Sequence, residues 1–277
     1  MRRVIAHLSD LHFGRVDPAT VEPILEAVRN VKPDVVAISG DLTQRARRQE
    51  FEDARRFLER LPEPRIVVPG NHDVPLHNPW SRFMSGLSLY REYISSDAEP
   101  IYADEAIAVV GVNTARALTW KGGRINRTQI ERVRARFCEM PAGVIRAVVV
   151  HHPLDLPEAW GKTDRARRAR RAFREWADCG IDLILAGHIH RAFTGTGHRH
   201  HGFAGAETEV LRIGDHRAIV VQAGTAISTR GRGEPNSFNT IELSNAAIAV
   251  AHHTWDAPSS RFHVSGRREF PRAIMSR

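Results

Sequence analysis

The 277-residue sequence has only two cysteines, Cys138 and Cys179, and only three lysines among its 40 basic residues. Two cysteines can form a single bridge, so a fold held together by a disulfide framework is excluded. Long apolar runs are also missing, because no segment approaches the roughly 18 uninterrupted apolar residues of a membrane-spanning helix. The apolar stretch at the start of the chain is too short for a signal peptide. These absences predict a cytoplasmic protein without a membrane span.

Basic residues outnumber acidic ones, and the formal net charge is +8. Such an excess favours anionic partners in general. Charges of both signs are spread along the whole chain, without a basic tail or a basic stripe interleaved with aromatic residues, so the balance does not point to nucleic acid. With 42% hydrophobic and 26% charged residues, the composition is typical of a folded globular protein. The composition leaves the oligomeric state open.

Short runs rich in Val and Ile alternate with longer segments of helical period, which is the pattern of an α/β fold. Strands are predicted at 4–8, 35–38, 66–68, 107–112, 147–150 and 181–186. From residue 208 onward the pattern changes to short β-like runs, which predict a second, more antiparallel sheet at 210–213, 218–221, 240–243 and 246–251. No linker or repeat divides the chain. We therefore expect one domain, residues 1–277, with two packed sheets.

Five of the predicted strands end in residue types that bind metals. The ends read Asp10-Leu11-His12, Gly40-Asp41, Gly70-Asn71-His72-Asp73, His151-His152-Pro153 and Gly187-His188-Ile189-His190. Each motif alone could be an ordinary turn or a structural histidine. Because the carboxyl ends of strands in an open α/β sheet border one crevice, we expect the five motifs to converge. Asp, Asn and His offer oxygen and nitrogen ligands that suit Mn, Fe or Zn.

In this order the motifs D-x-H, G-D, G-N-H-D, H and G-H-x-H resemble the signature of the calcineurin-like metallophosphoesterase superfamily, over about residues 4–225. The variants HLSDLH, GDLT, GNHD, HHP and GHIH are most similar to the bacterial class III cyclic-nucleotide phosphodiesterases. The resemblance implies a four-layer α/β sandwich, in which two mixed sheets pack together between helices. It also implies a small phosphoester substrate, hydrolysed by a hydroxide that bridges two metal ions.

The resemblance implies a role for each matching residue. One metal ion would be held by Asp10, His12, Asp41 and His190. The second would be held by Asp41, Asn71, His151 and His188, so that Asp41 bridges the two ions. His72 would bind the phosphate together with Asn71 and protonate the leaving group, and Asp73 would orient His72. His152, next to a predicted ligand, is expected to be structural or to support the ligands.

Differences between these motifs and those of other branches of the superfamily narrow the choice of reaction. The segment 40–45 reads G-D-L-T-Q-R, whereas protein phosphatases of the superfamily read G-D-x-V-D-R-G, which disfavours that activity. The enzyme alternatives to a phosphodiesterase are a broad-specificity phosphomonoesterase or diesterase and a UDP-diacylglucosamine-type pyrophosphatase. The latter enzymes usually carry Arg in the position of His72. A metal-free binding scaffold of the same fold is the non-enzyme alternative, and the intact set of metal-binding residues argues against it.

Two further groups of residues have no assigned role. The first is a histidine cluster in a glycine-containing segment, formed by His198, His200 and His201. We expect these histidines to be exposed in a loop, because no acidic partner stands at ligand spacing. The second is the polar segment 225–239, in which Arg230, Asn236 and Asn239 either reach the substrate or belong to an ordinary connecting loop.

Overall fold

The structure is a computed structural model of the chain. It describes residues 2–75, 86–116, 122–154, 165–196, 199–202, 207–209, 218–231 and 233–272. The strand predicted at 210–213 and the predicted loop histidine His198 lie outside these residues.

The described residues form strands and helices in alternation along most of the chain. The strands are β1 (Arg3–Leu8), β2 (Val35–Ser39), β3 (Arg65–Val68), β4 (Ile101–Ala103), β5 (Ile107–Val112), β6 (Ile145–Val150), β7 (Leu183–Ala186), β8 (Phe193–Thr196), β9 (Arg199–Gly202), β10 (Glu207–Glu209), β11 (Ile219–Gln222), β12 (Ser237–Leu243), β13 (Ala247–Asp256) and β14 (Arg261–Pro271). The helices are α1 (Pro18–Val31), α2 (Arg48–Leu58), α3 (Ser88–Tyr93), α4 (Arg127–Glu139) and α5 (Ala169–Ala177), and a 3₁₀ turn spans Asn71–Asp73.

The strands form two mixed sheets. One sheet has the order β14-β13-β12-β1-β2-β3, and the other has the order β10-β9-β8-β11-β7-β6-β5-β4. The strands β1, β2 and β3 are parallel, and so are β5, β6, β7 and β11. Antiparallel strands border the first parallel set on one side and the second on both sides. The carboxyl ends of the parallel strands therefore stand together within each sheet, as the convergence of the motifs requires.

Three apolar clusters separate four layers. Side chains of both sheets, such as Val35 and Leu185, form the cluster between the sheets. Leu25 of α1 and Phe51 of α2 belong to a second cluster on the other face of the six-stranded sheet. Trp176 of α5 belongs to a third cluster, on the outer face of the eight-stranded sheet. The expected fold class, two packed mixed sheets flanked by helices, is confirmed.

Helix α1 illustrates how local sequence sets an element. The Asp17 carboxylate accepts a hydrogen bond from the Ala19 N–H at the N-cap, and Pro18 occupies the first helical position, where its missing N–H costs nothing. Ile24, Leu25 and Val28 are fully buried and fix the helix on the sheet. Among the described residues, no helix is both long enough and apolar enough to cross a membrane.

The C-terminal strands do not build a sheet of their own, so the prediction of a separate antiparallel sheet is wrong. Strand β11 pairs with β7 inside the eight-stranded sheet. Strand β12 pairs with β1 instead and, with β13 and β14, extends the six-stranded sheet. The physical reason is the burial of β1: Ile5 is fully buried, and an open edge beside it would leave backbone groups unpaired away from water.

The two cysteines form a disulfide between the end of α4 and the turn after α5. Cys138 and Cys179 have Cα atoms 4.8 Å apart and are separated by 41 residues in sequence. The sequence allowed one bridge but predicted a reducing compartment, in which such bridges are uncommon. The cytoplasmic location stays a prediction.

Removing this disulfide should lower the free energy of unfolding by about 2–4 kcal/mol, because the unfolded chain regains the entropy of an open loop. Urea denaturation of the oxidised protein, with and without dithiothreitol, measures the difference. A Cys138→Ser, Cys179→Ser variant is the control, and its urea midpoint should not respond to the reductant. An unchanged midpoint of the wild-type protein on reduction would contradict a stabilising bridge.

Candidate metal centre

The predicted site residues follow parallel strands of both sheets. Asp10 and His12 come after β1, Asp41 after β2 and Asn71 after β3. From the other sheet, His151 comes after β6, and His188 and His190 come after β7. Polar atoms of all seven lie within hydrogen-bond or ion-pair distance of other members of the set. The structure thus brings together residues that are up to 180 positions apart in the chain, at the edge where strand ends meet.

Five of these residues have a left-handed backbone conformation, with φ between 48° and 79°. They are Asp10, His12, Asp41, His188 and His190. A residue other than glycine in this region costs about 1–3 kcal/mol, and such strain persists where the surrounding structure imposes it, often at functional sites. Its concentration on the predicted metal-binding residues indicates that the turns after β1, β2 and β7 are shaped to aim these side chains.

Two motif glycines allow the backbone to approach the cluster closely. A Cβ atom at Gly70 would lie 2.1 Å from Oδ1 of Asp41, and one at Gly187 would lie 1.9 Å from Oγ of Ser9. Both distances are far below van der Waals contact. A side chain at Gly70 would therefore displace the Asp41 carboxylate. One at Gly187 would displace the Ser9 hydroxyl, which donates a hydrogen bond to Asp10.

The first half of the cluster contains Asp10, His12, Asp41 and His190. One potential ligand atom from each lies within 4.8 Å of the others, and all four side chains are buried. Nε2 of His190 is 3.3 Å from Oδ1 of Asp10, and Nε2 of His12 is 3.6 Å from the same oxygen. Nε2 of His12 is also 3.8 Å from Oδ2 of Asp41. Two carboxylate oxygens and two imidazole nitrogens therefore face one small volume.

The second half of the cluster shares Asp41 with the first. Nε2 of His151 lies 3.4 Å from Oδ1 of Asp41 and 3.0 Å from Oδ1 of Asn71. Nδ1 of His188 lies 3.2 Å from the same His151 nitrogen. The Asp41 carboxylate thus points Oδ1 to this half and Oδ2 to the first half. This arrangement is the one that a carboxylate bridging two cations requires.

Backbone carbonyl groups orient three of the histidines. The carbonyl oxygens of Ser39, Thr43 and Arg230 lie 2.8, 3.4 and 3.1 Å from Nδ1 of His151, His12 and His190 respectively. A carbonyl oxygen can only accept, so each Nδ1 carries the proton. Nε2 is then the nitrogen that each of these histidines can offer to a metal ion, and a carbonyl group on Nδ1 is the usual support for such a ligand.

The cluster fits a pair of metal ions because its buried oxygens are not satisfied by the protein. Within the described structure, Oδ1 of Asp10 and Oδ2 of Asp41 are buried and have no hydrogen-bond partner. Burial opposes ionisation of Asp41, yet His151, His72 and His12 outweigh it and hold the pKa of Asp41 well below its usual range. Unpaired buried charge is costly, so bound cations would supply the missing partners.

The same carboxylates act on His151. Burial lowers the pKa of an imidazole, but Asp41 and Asp10 together raise the pKa of His151 to about 9. This shift reports how strongly the buried site favours positive charge at that position. A bound metal ion would supply this positive charge in place of the proton on His151.

His72 lies beside the cluster, and its ring is 5.0 Å from the ring of His12. Its Nδ1 lies 2.8 Å from the carbonyl oxygen of Gln44, and its Nε2 lies 3.0 Å from Nη1 of Arg230. Since the carbonyl and the guanidinium have fixed roles, Nδ1 donates to Gln44 and Nε2 accepts from Arg230. His72 is thus oriented by one backbone carbonyl and one arginine.

The prediction that Asp73 orients His72 is wrong. The Asp73 carboxylate accepts hydrogen bonds from the backbone N–H groups of Leu42, Thr43 and Gly70 and from the Thr43 hydroxyl. None of these hydrogen bonds involves the His72 imidazole, whose ring nitrogens contact Gln44 and Arg230. Burial, together with the nearby Asp41, raises the pKa of Asp73 to about 6. Asp73 therefore fastens the 3₁₀ turn of Asn71 to the Asp41 turn, which positions both residues.

The structure places His152 beside the second half of the cluster. The side chain is fully buried, and with His151 and His188 it forms a second group whose nitrogens lie within 4.8 Å of one another. Its Nδ1 lies 2.9 Å from the hydroxyl oxygen of Thr114. The only signal in the sequence was its position next to His151. The assignment of individual metal ligands, including the choice between Asn71 and His152, stays a prediction.

The two unassigned groups have different outcomes. In the segment 225–239, Arg230 contacts His72, whereas Asn239 is buried in β12 with its Oδ1 2.9 Å from Nδ1 of His252. Asn236 immediately precedes β12, and its carbonyl accepts the Trp255 N–H. The expected loop around His200 and His201 is wrong for these two residues, which lie in β9 and pair with β8.

Two mixed sheets between helices, with a buried Asp, Asn and His cluster at the strand ends, define the class of metallophosphoesterases. A family model described as calcineurin-like phosphoesterase matches residues 3–192, and the chain belongs to this family. The family expected from the motifs is confirmed. Its members are phosphoester hydrolases that use divalent metal ions.

Individual relatives are more distant. A glycerophosphodiester phosphodiesterase, GpdQ of Enterobacter lignolyticus, is 37% identical over 82 residues, which cover 25% of this chain and 29% of that protein. A probable cyclic nucleotide phosphodiesterase of a Synechococcus species is 24% identical over 203 residues, covering 68% of this chain and 74% of that protein. The chain thus matches less than a third of the length of GpdQ.

Solved structures share the fold at low sequence identity. A purple acid phosphatase from yellow lupin, Lupinus luteus, has a TM-score of 0.69 and 10% identity, covering 97% of this chain and 53% of that chain. PhoD has a TM-score of 0.66 and 10% identity, covering 98% of this chain and 68% of that chain. These similarities support the four-layer architecture.

Proposed function

We propose that this protein is a metal-dependent phosphodiesterase acting on cyclic nucleotides or similar small phosphodiesters. The observation that carries the hydrolytic part is the buried Asp41 carboxylate, which faces both halves of a histidine-rich cluster and leaves one oxygen without a protein partner. The substrate class is supported by two relatives named as phosphodiesterases, one for glycerophosphodiesters and one for cyclic nucleotides. Both names describe diesters.

The proposed metal ligands are the residues of the two halves. The first ion would be held by Asp10, His12, Asp41 and His190, and the second by Asp41, Asn71, His151 and His188. The mixed oxygen and nitrogen donors favour Mn, Fe or Zn. Two such ions would neutralise charge on the phosphate and generate a nucleophile from water at neutral pH.

The chain itself would supply binding and proton transfer. The Asn71 side chain lies at the cluster, and the His72 imidazole lies beside it, so both can contact the phosphate. Nδ1 of His72 stays bonded to the Gln44 carbonyl, so Nε2, which contacts Arg230 in this structure, would be the atom that meets the substrate. A proton taken up at Nε2 is the one that His72 can pass to the leaving oxygen. Asp73 acts as a positioning residue, through the turn that it fastens.

Diesters should be hydrolysed with a higher kcat/KM than monoesters, by about tenfold or more, which corresponds to roughly 1.4 kcal/mol of transition-state binding. The comparison uses bis-p-nitrophenyl phosphate and cyclic AMP against p-nitrophenyl phosphate, with manganese-loaded protein. A much higher kcat/KM for p-nitrophenyl phosphate would favour the broad-specificity phosphomonoesterase alternative and leave the metal centre unaffected. Turnover of a UDP-diacylglucosamine above both diesters would favour a pyrophosphatase.

A further inference from the structure

Arg230 lies outside the five sequence motifs and beyond residue 192, where the match to the family model ends. Its backbone is nevertheless part of the site, because its carbonyl oxygen lies 3.1 Å from Nδ1 of His190. The preceding residues tie this segment to the turn after β1: the Thr229 N–H and the Ser228 hydroxyl both donate to the carbonyl of Arg15, at 2.9 Å each. The segment is therefore held against the cluster by its main chain.

The Arg230 side chain points to the same place. Its Nη1 is 3.0 Å from Nε2 of His72 and 3.4 Å from Oε1 of Gln44, and the residue is half-buried. Both contacts are neutral acceptors. Among the ion pairs of the described residues, Arg230 has no carboxylate within 4.0 Å, although exposed arginines such as Arg60 and Arg171 do have one. Within the described part of the chain, a positive charge next to the cluster is thus left without a carboxylate partner.

From this contact set we propose that Arg230 binds a non-bridging oxygen of the substrate or product phosphate, next to His72. The inference rests on the proposed phosphoesterase function and adds a substrate-binding residue to it. A guanidinium donates only and stays protonated, so it cannot act as the acid. A phosphate oxygen carries charge and is a stronger acceptor than a neutral imidazole nitrogen, so the phosphate takes the hydrogen bond now made to His72.

The charge of the ligand decides where Arg230 has its largest effect. A phosphodiester carries one negative charge, whereas inorganic phosphate and a monoester carry up to two near neutral pH. An added cation therefore favours the dianions more. Arg230 should strengthen binding of inorganic phosphate and of monoesters more than it strengthens binding of diesters, which makes it a residue that sets the specificity of the site.

The test compares Arg230→Gln and Arg230→Lys with Arg136→Gln, a control on the exposed face of α4. Inorganic phosphate is titrated by calorimetry into manganese-loaded protein, and metal content is measured in parallel. Arg230→Gln should weaken phosphate binding by about 10–100-fold, the usual effect of losing a charge-assisted hydrogen bond. The phosphate affinity of Arg230→Lys should fall between that of the wild-type protein and that of Arg230→Gln. Lysine keeps the positive charge but lacks the paired N–H donors of the guanidinium. Metal content should stay unchanged, since the backbone carbonyl, not the side chain, contacts His190.

Kinetics give the second readout. In Arg230→Gln, the KM of p-nitrophenyl phosphate should rise more than the KM of bis-p-nitrophenyl phosphate. Unchanged phosphate affinity in Arg230→Gln, or loss of metal from it, would overturn the proposal, because Arg230 would then have a structural role only. If the wild-type protein hydrolyses no diester but Arg230→Gln still weakens phosphate binding, the phosphodiesterase proposal fails while the phosphate-binding role of Arg230 stands.

Discussion

Replacing Asp41 by asparagine should lower diester hydrolysis by about 10³-fold or more and reduce the metal content of the protein. Asp41 is the only carboxylate within 4.0 Å of both His12 and His151 among the described ion pairs. Its low pKa means that it is ionised at neutral pH. An amide has no charge and one oxygen, so it cannot hold two cations. Metal ions contribute several kcal/mol to such reactions, and each 1.4 kcal/mol is about tenfold in rate.

The fold should survive the Asp41→Asn change. Oδ1 of Asp41 accepts the His72 N–H at 2.8 Å, and the amide oxygen of asparagine can accept the same bond. Asp178→Asn, at an exposed carboxylate after α5, is the matched control and should behave as the wild-type protein in activity, metal content and Tm. Two bound metal ions and normal activity in Asp41→Asn would refute Asp41 as the bridge.

Replacing His72 by alanine should lower kcat on cyclic AMP by about 10²–10⁴-fold, the range of general acid catalysis. The ribose oxygen leaves as a strong base and needs a proton, whereas p-nitrophenolate leaves without one. The loss should therefore be smaller on bis-p-nitrophenyl phosphate. The His72 ring lies beside the cluster but belongs to neither of the groups of potential ligands, so metal content should stay close to that of the wild-type protein.

The comparison of the two leaving groups must be made where chemistry limits turnover, since slow product release would hide the difference. His263→Ala, at an exposed histidine of β14, controls for the loss of an imidazole elsewhere. Equal losses on both substrates would assign His72 a purely electrostatic role on the phosphate. Loss of metal in His72→Ala would show that His72 is itself a ligand.

The central residues of the site could be predicted because parallel strands place their carboxyl ends together. Asp10, Asp41 and His151 each follow a short run of buried apolar residues, and that pattern is visible in the sequence. The left-handed backbone at Asp10, His12, Asp41, His188 and His190 could not be predicted, since only a few per cent of residues other than glycine adopt it. It depends on contacts between turns that are distant in the chain.

The orientation of His72 could not be predicted from the sequence, for a different reason. Asp73 was the obvious partner because a carboxylate next to a catalytic imidazole often orients it. The partner is instead the Gln44 carbonyl, a group that every residue possesses. Arg230, 158 positions from His72, was one of three polar candidates in its segment, and only the packing of that segment against the turn after β1 selects it.

The C-terminal strands show that a local sequence pattern can predict a strand without predicting which strand it pairs with. The alternation in β12 and β13 predicted strands, but their pairing with β1 depends on which sheet edge is buried. Strand β14 was missed altogether. It is an edge strand with mostly exposed side chains and a register shift in its pairing with β13, so regular alternation of apolar and polar residues is lost.

Adding Mn²⁺ stepwise to chelator-treated protein tests whether the cluster at the strand ends is a two-metal hydrolytic site. Bound manganese and hydrolysis of bis-p-nitrophenyl phosphate are measured in the same samples. A two-metal site should give almost no activity in the metal-free protein and a rise in activity that reaches its plateau at two bound ions per chain. Full activity in the metal-free protein, or a plateau with no ion bound, would contradict it.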